Sequence, residues 1–187
     1  MKINKSIIWS LVIMTVVAAL YRVIPGRPFG FAPQWALALF SGAMVKDKKL
    51  AFALPLLSMF ISDLIYQLLY VAGLSSIYGF YPDQWINYLL FASVTVFGFF
   101  KRASVVNVFL VSLAGPTYFF LVSNFLTWMG VGGYHMYPKT WEGLMSCYVA
   151  GLPFYKTSLI ATVLFSALLF GSWYFINRRS AKPVVTA

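Results

Sequence analysis

Six long apolar runs constrain this chain more than anything else in it: residues 7–24, 34–45, 50–72, 84–100, 103–129 and 154–176. In hydrocarbon, backbone polar groups must be satisfied within the protein, so only helices and closed barrels cross a bilayer. Barrel strands alternate polar and apolar residues. These runs are continuously apolar and read as helices. The expected fold is an all-α integral membrane protein: six transmembrane helices forming a single domain over residues 1–177, then a basic, disordered tail at 178–187. A crossing takes about 20 apolar residues. Run 34–45 is short, and tilt or local bilayer thinning accounts for it. The first run, after Lys2 and Lys5, lacks a small-x-small site before Tyr21-Arg22, so it reads as an uncleaved span rather than a signal peptide.

Composition agrees. The chain is 61% hydrophobic and 10% charged, against about 25% charged in soluble domains. A net charge of +10 invites a nucleic-acid reading. The basic residues, however, sit at the ends of apolar runs, where they set orientation, so no nucleic-acid partner is expected. With six spans and the N-terminus inside, the cytoplasmic side holds Lys2, Lys5, Lys46, Lys48, Lys49, Lys101, Arg102, Arg178, Arg179 and Lys182. The outer side holds only Arg22, Arg27, Lys139 and Lys156. Both termini are therefore expected in the cytoplasm, with the chain a multi-pass protein of the cytoplasmic (inner) membrane and in contact with its lipids.

The outer loops, 25–33, 73–85 and 124–156, are rich in aromatic residues, Gly and Pro. The last holds the chain's single His (His135) and single Cys (Cys147). Aromatic rings gathered on one side suggest a lidded mouth, since an interfacial belt would occupy both sides. Thr140 and Glu142 begin a short outer helix over 141–152, ended by Pro153. Gly143, Cys147 and Gly151 recur every fourth residue, a small-residue stripe that lets helices approach. Cys147 is then a small residue in a tight contact, or a thiol facing a pocket.

Asp63 is the costliest residue, since a central acid costs about 2.5–3.5 kcal/mol on insertion scales. It reads either as a substrate or proton contact, or as a packing group bonded to Ser62, Gln67 or a neighbouring helix. Pro116, after Gly115, breaks run 103–129, and such breaks border cavities. Asn124 and Thr127 serve as helix staples or as ligand contacts. There is no zincin motif, nucleophile elbow or P-loop, and a lone Cys with a lone His is not metal-ligand spacing. No enzyme activity, cofactor or metal is expected.

The segments FAPQWALALFSGAMVKDKKLAFALPLLSMFISDL, SNFLTW and YPKTWEGLMSCYVAGLPFYKTSLIATVLFSALLFG are similar in order and spacing to a group of uncharacterised bacterial six-helix membrane proteins. The likeness covers residues 22–171. That group resembles the substrate-binding (S) components of energy-coupling factor (ECF) transporters. The resemblance implies a vitamin-like micronutrient bound near the outer face, in a site built from 25–35, 73–85 and 131–156. It also implies an energising module docking on small residues such as Ala38 and Gly42. A solitary cobalamin-type S component binds cobalt through a Cys, but the residues around Cys147 do not match that one. The group's Asn-Thr-Leu-x-Gly-Asp reads Thr157-Ser158-Leu159-Ile160-Ala161-Thr162 here, without the acid.

The expected function is capture and uptake of a small micronutrient. Phe29, Phe31, Trp35, Tyr81, Trp85, Trp128, Tyr134, Tyr137 and Trp141 would enclose it. Arg27, Asp63, Asn124, Thr127, His135, Cys147 and Lys156 are the polar candidates, and Gly130, Gly132 and Gly133 free the lid. The alternative is a non-transport scaffold or assembly subunit. A third reading is a membrane enzyme acting on a lipid or cofactor, with Asp63, His135 and Cys147 in one cavity.

Overall fold

The structure, a computed structural model, describes residues 5–100, 104–131 and 135–180, with side chains described from residue 11 to residue 176. Among these are six α-helices and one 3-10 turn, and no strand. They are α1 (Lys5–Arg22), α2 (Gln34–Met44), α3 (Lys48–Val71), α4 (Gln84–Val94) with the 3-10 turn Thr95–Gly98, α5 (Val105–Met129) and α6 (Trp141–Ser180). Local chemistry sets the starts. The Asp47 carboxylate accepts from the Lys49 and Leu50 amides ahead of α3. Ser104 accepts from Asn107 N at α5, and Thr140 from Gly143 N at α6. Each satisfies an amide that the first helical turn leaves unbonded. Gly130 ends α5 at φ 94°, where a side chain would be strained.

Three helices are long and apolar enough to cross a membrane: Lys48–Val71, Val105–Met129 and Trp141–Ile176. Only 28%, 17% and 22% of their most apolar stretches are buried. Their hydrocarbon faces outward, as expected of a membrane protein whose solvent is lipid.

α2 differs. Gln34, Ala36–Gly42 (36–42) and Val45 are all buried, and α2 packs on α1, α3, α4, α5 and α6. A helix apolar all round and enclosed by others is a core element. Its 11 residues reach about 16 Å, well short of a bilayer. Enclosure suits that length, because a short backbone is tolerated at membrane depth when wrapped in protein. The close approach is made by glycines. A Cβ on Gly42 would overlap the Thr95 carbonyl oxygen, and one on Gly98 would overlap the Leu39 carbonyl oxygen and lie 3.1 Å from Gly42 Cα. Run 84–100 correspondingly divides into α4 and the 3-10 turn that meets α2. Ala38 (0% exposed) and Gly42 are thus consumed inside the bundle. They present nothing to an outside partner, which corrects their expected docking role.

Pro153 does not end a short helix at 152. It lies within a continuous α6 of 40 residues, about 60 Å long and therefore longer than a bilayer core is thick. Contacts on both sides of Pro153 hold one helix against α5. Before it, the Tyr148 hydroxyl donates to Leu121 O (2.8 Å) and Cys147 Sγ to Asn124 O (3.3 Å). After it, Tyr155 stacks on Phe120 at 4.6 Å. The helix runs on to Ser180, while 181–187 lie outside the described residues.

Candidate functional site

Asp63 finds its partner in Arg22. The two form an ion pair with side chains 3% and 23% exposed. Gln84 Nε2 (2.8 Å) and the Tyr88 hydroxyl (2.5 Å) donate to Asp63 Oδ2, and the Arg22 guanidinium also donates to Ser62 Oγ (2.6 Å). The buried carboxylate is thereby neutralised and hydrogen-bonded, the condition under which a charge persists away from water. The same cluster hangs the loops on α3. The Tyr66 hydroxyl donates to Arg22 O (2.6 Å). Arg27 donates to Arg22 O (2.5 Å), to the Tyr66 hydroxyl (3.1 Å) and to Phe31 O (3.3 Å). Gln67 Oε1 accepts from Gly79 N (3.1 Å) and Phe80 N (3.3 Å). Tyr81 accepts from Asn87 Nδ2 (2.9 Å), and burial raises its phenol above the usual range. Asp63, Arg27 and Tyr81 therefore form a structural node beside α3.

The candidate site lies elsewhere, between α2, α5 and α6. A partly open cavity of about 220 Å³ is lined by Trp35, Pro116, Phe119, Phe120, Ser123, Asn124, Gly151, Phe154, Tyr155 and Ser158. Buried Pro116 marks its deep side, and Phe154, 52% exposed, its rim. Trp35 is clamped between Phe91 (4.8 Å) and Phe119 (4.4 Å). Tyr155 is fixed by Phe120 and by a 2.9 Å hydrogen bond with Thr117 Oγ1. Because Thr117 Oγ1 donates to Leu113 O (2.6 Å), Tyr155 is the donor between the two hydroxyls. Asn124 Nδ2 donates to Phe120 O (2.8 Å), and its carboxamide lies on Gly151, where a Cβ would sit 2.5 Å from Oδ1. The glycine is what admits the amide between the helices. Loop 25–33 grips the rim. Thr157 Oγ1 donates to Phe29 O, Ser158 Oγ to Gly30 O (3.1 Å), and Phe29 meets Phe154 edge-on at 6.1 Å.

Of the residues expected at the site, Trp35 and Asn124 line this cavity and Phe29 touches its rim. The others lie apart from it. Phe31 packs on Phe165 (5.8 Å). Trp85 (61% exposed) and Trp141 (71%) are on the surface. Thr127 bonds back to Ser123 O (2.9 Å), and Tyr137 is half-buried. Trp128 Nε1 donates to Pro138 O (2.9 Å) and Lys139 Nζ to Trp128 O, pinning the loop before α6 to the end of α5. His135 is exposed and lies against Gly130. Cys147, 2% exposed, occupies the α5–α6 seam, as a small residue in a tight contact does. Lys156 is exposed on an open apolar trough of α6 with Val149, Leu152, Leu159 and Ile160. Tyr134, Gly132 and Gly133 lie outside the described residues. Asp63, His135 and Cys147 occupy three different neighbourhoods, and among the described residues no group of three His, Cys, Asp or Glu could hold a metal ion.

Sequence reasoning missed Phe119, Phe120, Ser123, Phe154, Tyr155 and Ser158. A signal was available. Residues 116, 119, 120, 123 and 124 share one face of a helix, as do 151, 154, 155 and 158. Starting from Asn124 and Gly151, each face leads to the lining.

Residues 2–184 match a family of unknown function, DUF6580. No curated protein and no solved structure matches the chain.

Proposed function

We propose that this chain, which belongs to the family of unknown function DUF6580, is a substrate-binding protein for uptake of a small micronutrient across the cytoplasmic membrane. The observation that carries this reading is the ring-lined cavity between α2, α5 and α6. Concave sites dominated by aromatic side chains with a few polar groups are where small molecules bind. In this reading the fold crosses the membrane six times with both termini in the cytoplasm, and loop 25–33 lies on the outer side as a lid over the rim. The ligand enters at Phe154, displaces Phe29 and is enclosed as the loop settles back. Release inside follows from tilting of the bundle beside an energising partner, which binds the closed form in preference to the open one. That partner reads the outward faces of the helices, since Ala38 and Gly42 are internal.

Native mass spectrometry of the purified protein tests capture. A co-purified small molecule is expected, and Ser123→Phe, which puts a ring into the cavity, is expected to remove it. A ligand retained unchanged in Ser123→Phe protein would place binding elsewhere. Topology has its own check. In a Cys147→Ala background, Ser76→Cys is expected to react with an impermeant maleimide added outside intact cells, and Lys46→Cys only after the membrane is opened. Labelling of both from the same side would remove the six-span arrangement.

A further inference from the structure

We infer that the cavity between α2, α5 and α6 takes a neutral, flat ring carrying an N–H beside a carbonyl. This rests on the reading of that cavity as a capture site. Size sets the first limit. An apolar cavity of about 150 Å³ holds benzene, so 220 Å³ accommodates one substituted ring or a small fused pair and is smaller than a drug-sized pocket. Trp35, Phe119, Phe120, Phe154 and Tyr155 put aromatic ring surface on the cavity, which favours a flat ligand through offset and edge-on contacts.

Charge sets the second limit. No lining residue is ionisable near neutral pH. The neighbouring cations are committed or turned away: Arg22 to Asp63, Arg27 to backbone carbonyls and Tyr66, Lys139 to Trp128 O, and Lys156 to the open trough. An anionic ligand would enter without a counter-charge, which an apolar site penalises heavily.

The hydrogen-bonding edge comes from Asn124. Its carboxamide has two N–H donors and a carbonyl oxygen with two lone pairs. One donor is spent on Phe120 O, and among the described residues Oδ1 receives only the distant Cys147 thiol at 3.9 Å. One N–H and the oxygen stay available side by side. That pair is complementary to a lactam, carboxamide or nucleobase-type edge, and a ligand lacking the edge would leave both groups unpaired.

Equilibrium dialysis of radiolabelled benzamide and benzoate against the full-length protein in micelles, with uptake by empty micelles subtracted, tests the assignment. The two probes share size and ring and differ in charge and donor. Benzamide is expected to bind at least tenfold tighter than benzoate. Asn124→Leu is expected to weaken benzamide about tenfold, the loss of one or two neutral hydrogen bonds, and to leave benzoate unaffected. Protection of Cys147 from a maleimide verifies the fold of each variant, and Asn124→Ser serves if the leucine variant fails that check. Benzoate binding as tightly as benzamide, an unchanged benzamide affinity in the Asn124 variants, or no binding of either probe would overturn the inference. Capture itself fails separately. An anionic molecule co-purifying with wild type and lost in Ser123→Phe removes only the ligand class, whereas no co-purified molecule together with no probe binding removes the capture site.

Discussion

Arg22→Met is expected to lower the unfolding midpoint of the detergent-solubilised protein by about 10 °C, from a loss of about 3–5 kcal/mol. The Asp63 side chain is 3% exposed and its counter-charge is the Arg22 guanidinium. Among the described residues, removing the arginine leaves a buried carboxylate with only the neutral donors Gln84 and Tyr88. Hydrogen bonds to a charged group are worth about 1.5–3 kcal/mol each, so these two soften the loss without replacing the ion. Asp63→Asn is expected to be milder, because its amide oxygen can still accept from Gln84 and Tyr88 and it carries no charge to desolvate, although its NH2 cannot accept from Arg22. The double variant, Arg22→Met with Asp63→Asn, should recover more than half of the loss. Cys147 provides the readout, as the chain's single thiol. It is 2% exposed, so a thiol-reactive fluorophore labels it only as the α5–α6 seam opens. Strict additivity of the two substitutions would show that the pair carries no coupling and that the node is held by its neutral hydrogen bonds.

Gly98→Val is expected to remove most of the folded protein, with a cost above about 3 kcal/mol, the upper end of ordinary overpacking. The added Cβ meets the Leu39 carbonyl, the Ala43 amide at 3.0 Å and Gly42 Cα at 3.1 Å. All three are backbone, so no rotamer change relieves them. α2 cannot retreat either, because its other faces are packed against α1, α3, α5 and α6. Gly171→Ala is the control, since nothing lies within 4 Å of the position its Cβ would take. It is expected to leave the midpoint within about 1 °C or raise it slightly, as alanine favours a helix. Equal loss in Gly98→Val and Gly171→Ala would mean that glycine at 98 matters for chain flexibility rather than for the crossing with α2.

The helical class, the cap at Thr140, and the apolar character of α3, α5 and α6 were all legible in the residues. The spacing of Gly143, Cys147 and Gly151 left Cys147 open between a tight contact and a pocket thiol; in the structure Cys147 and Gly151 lie against Asn124 of α5, and Gly143 lies against Pro138. Asp63 announced that it needed a partner. Arg22 was overlooked because a cation at the end of an apolar run has a sufficient reason to be there without one. Pro153 misled for a related reason. Its missing N–H weakens a helix by a local amount, whereas packing of Tyr148, Gly151 and Tyr155 on α5 acts across the break.

The cavity was harder to read. α5 is apolar over most of its circumference, so the face toward α6 separates from the faces toward lipid only when Ser123 and Asn124 are taken together with Gly151. The loop aromatics looked like a roof because they gather at one end of the chain's expected topology. The rings around the cavity instead come from helix interiors and were hidden among residues of the same kind. By itself the sequence determined that these runs form helices and that their surfaces suit hydrocarbon, because continuity and capping depend on neighbours along the chain. Only the tertiary structure decided which apolar faces meet each other, that the short α2 is enclosed, and that Asn124 and Trp35 share a hollow. Those outcomes depend on contacts between residues far apart in sequence, and an apolar side chain suits lipid and protein interior almost equally well.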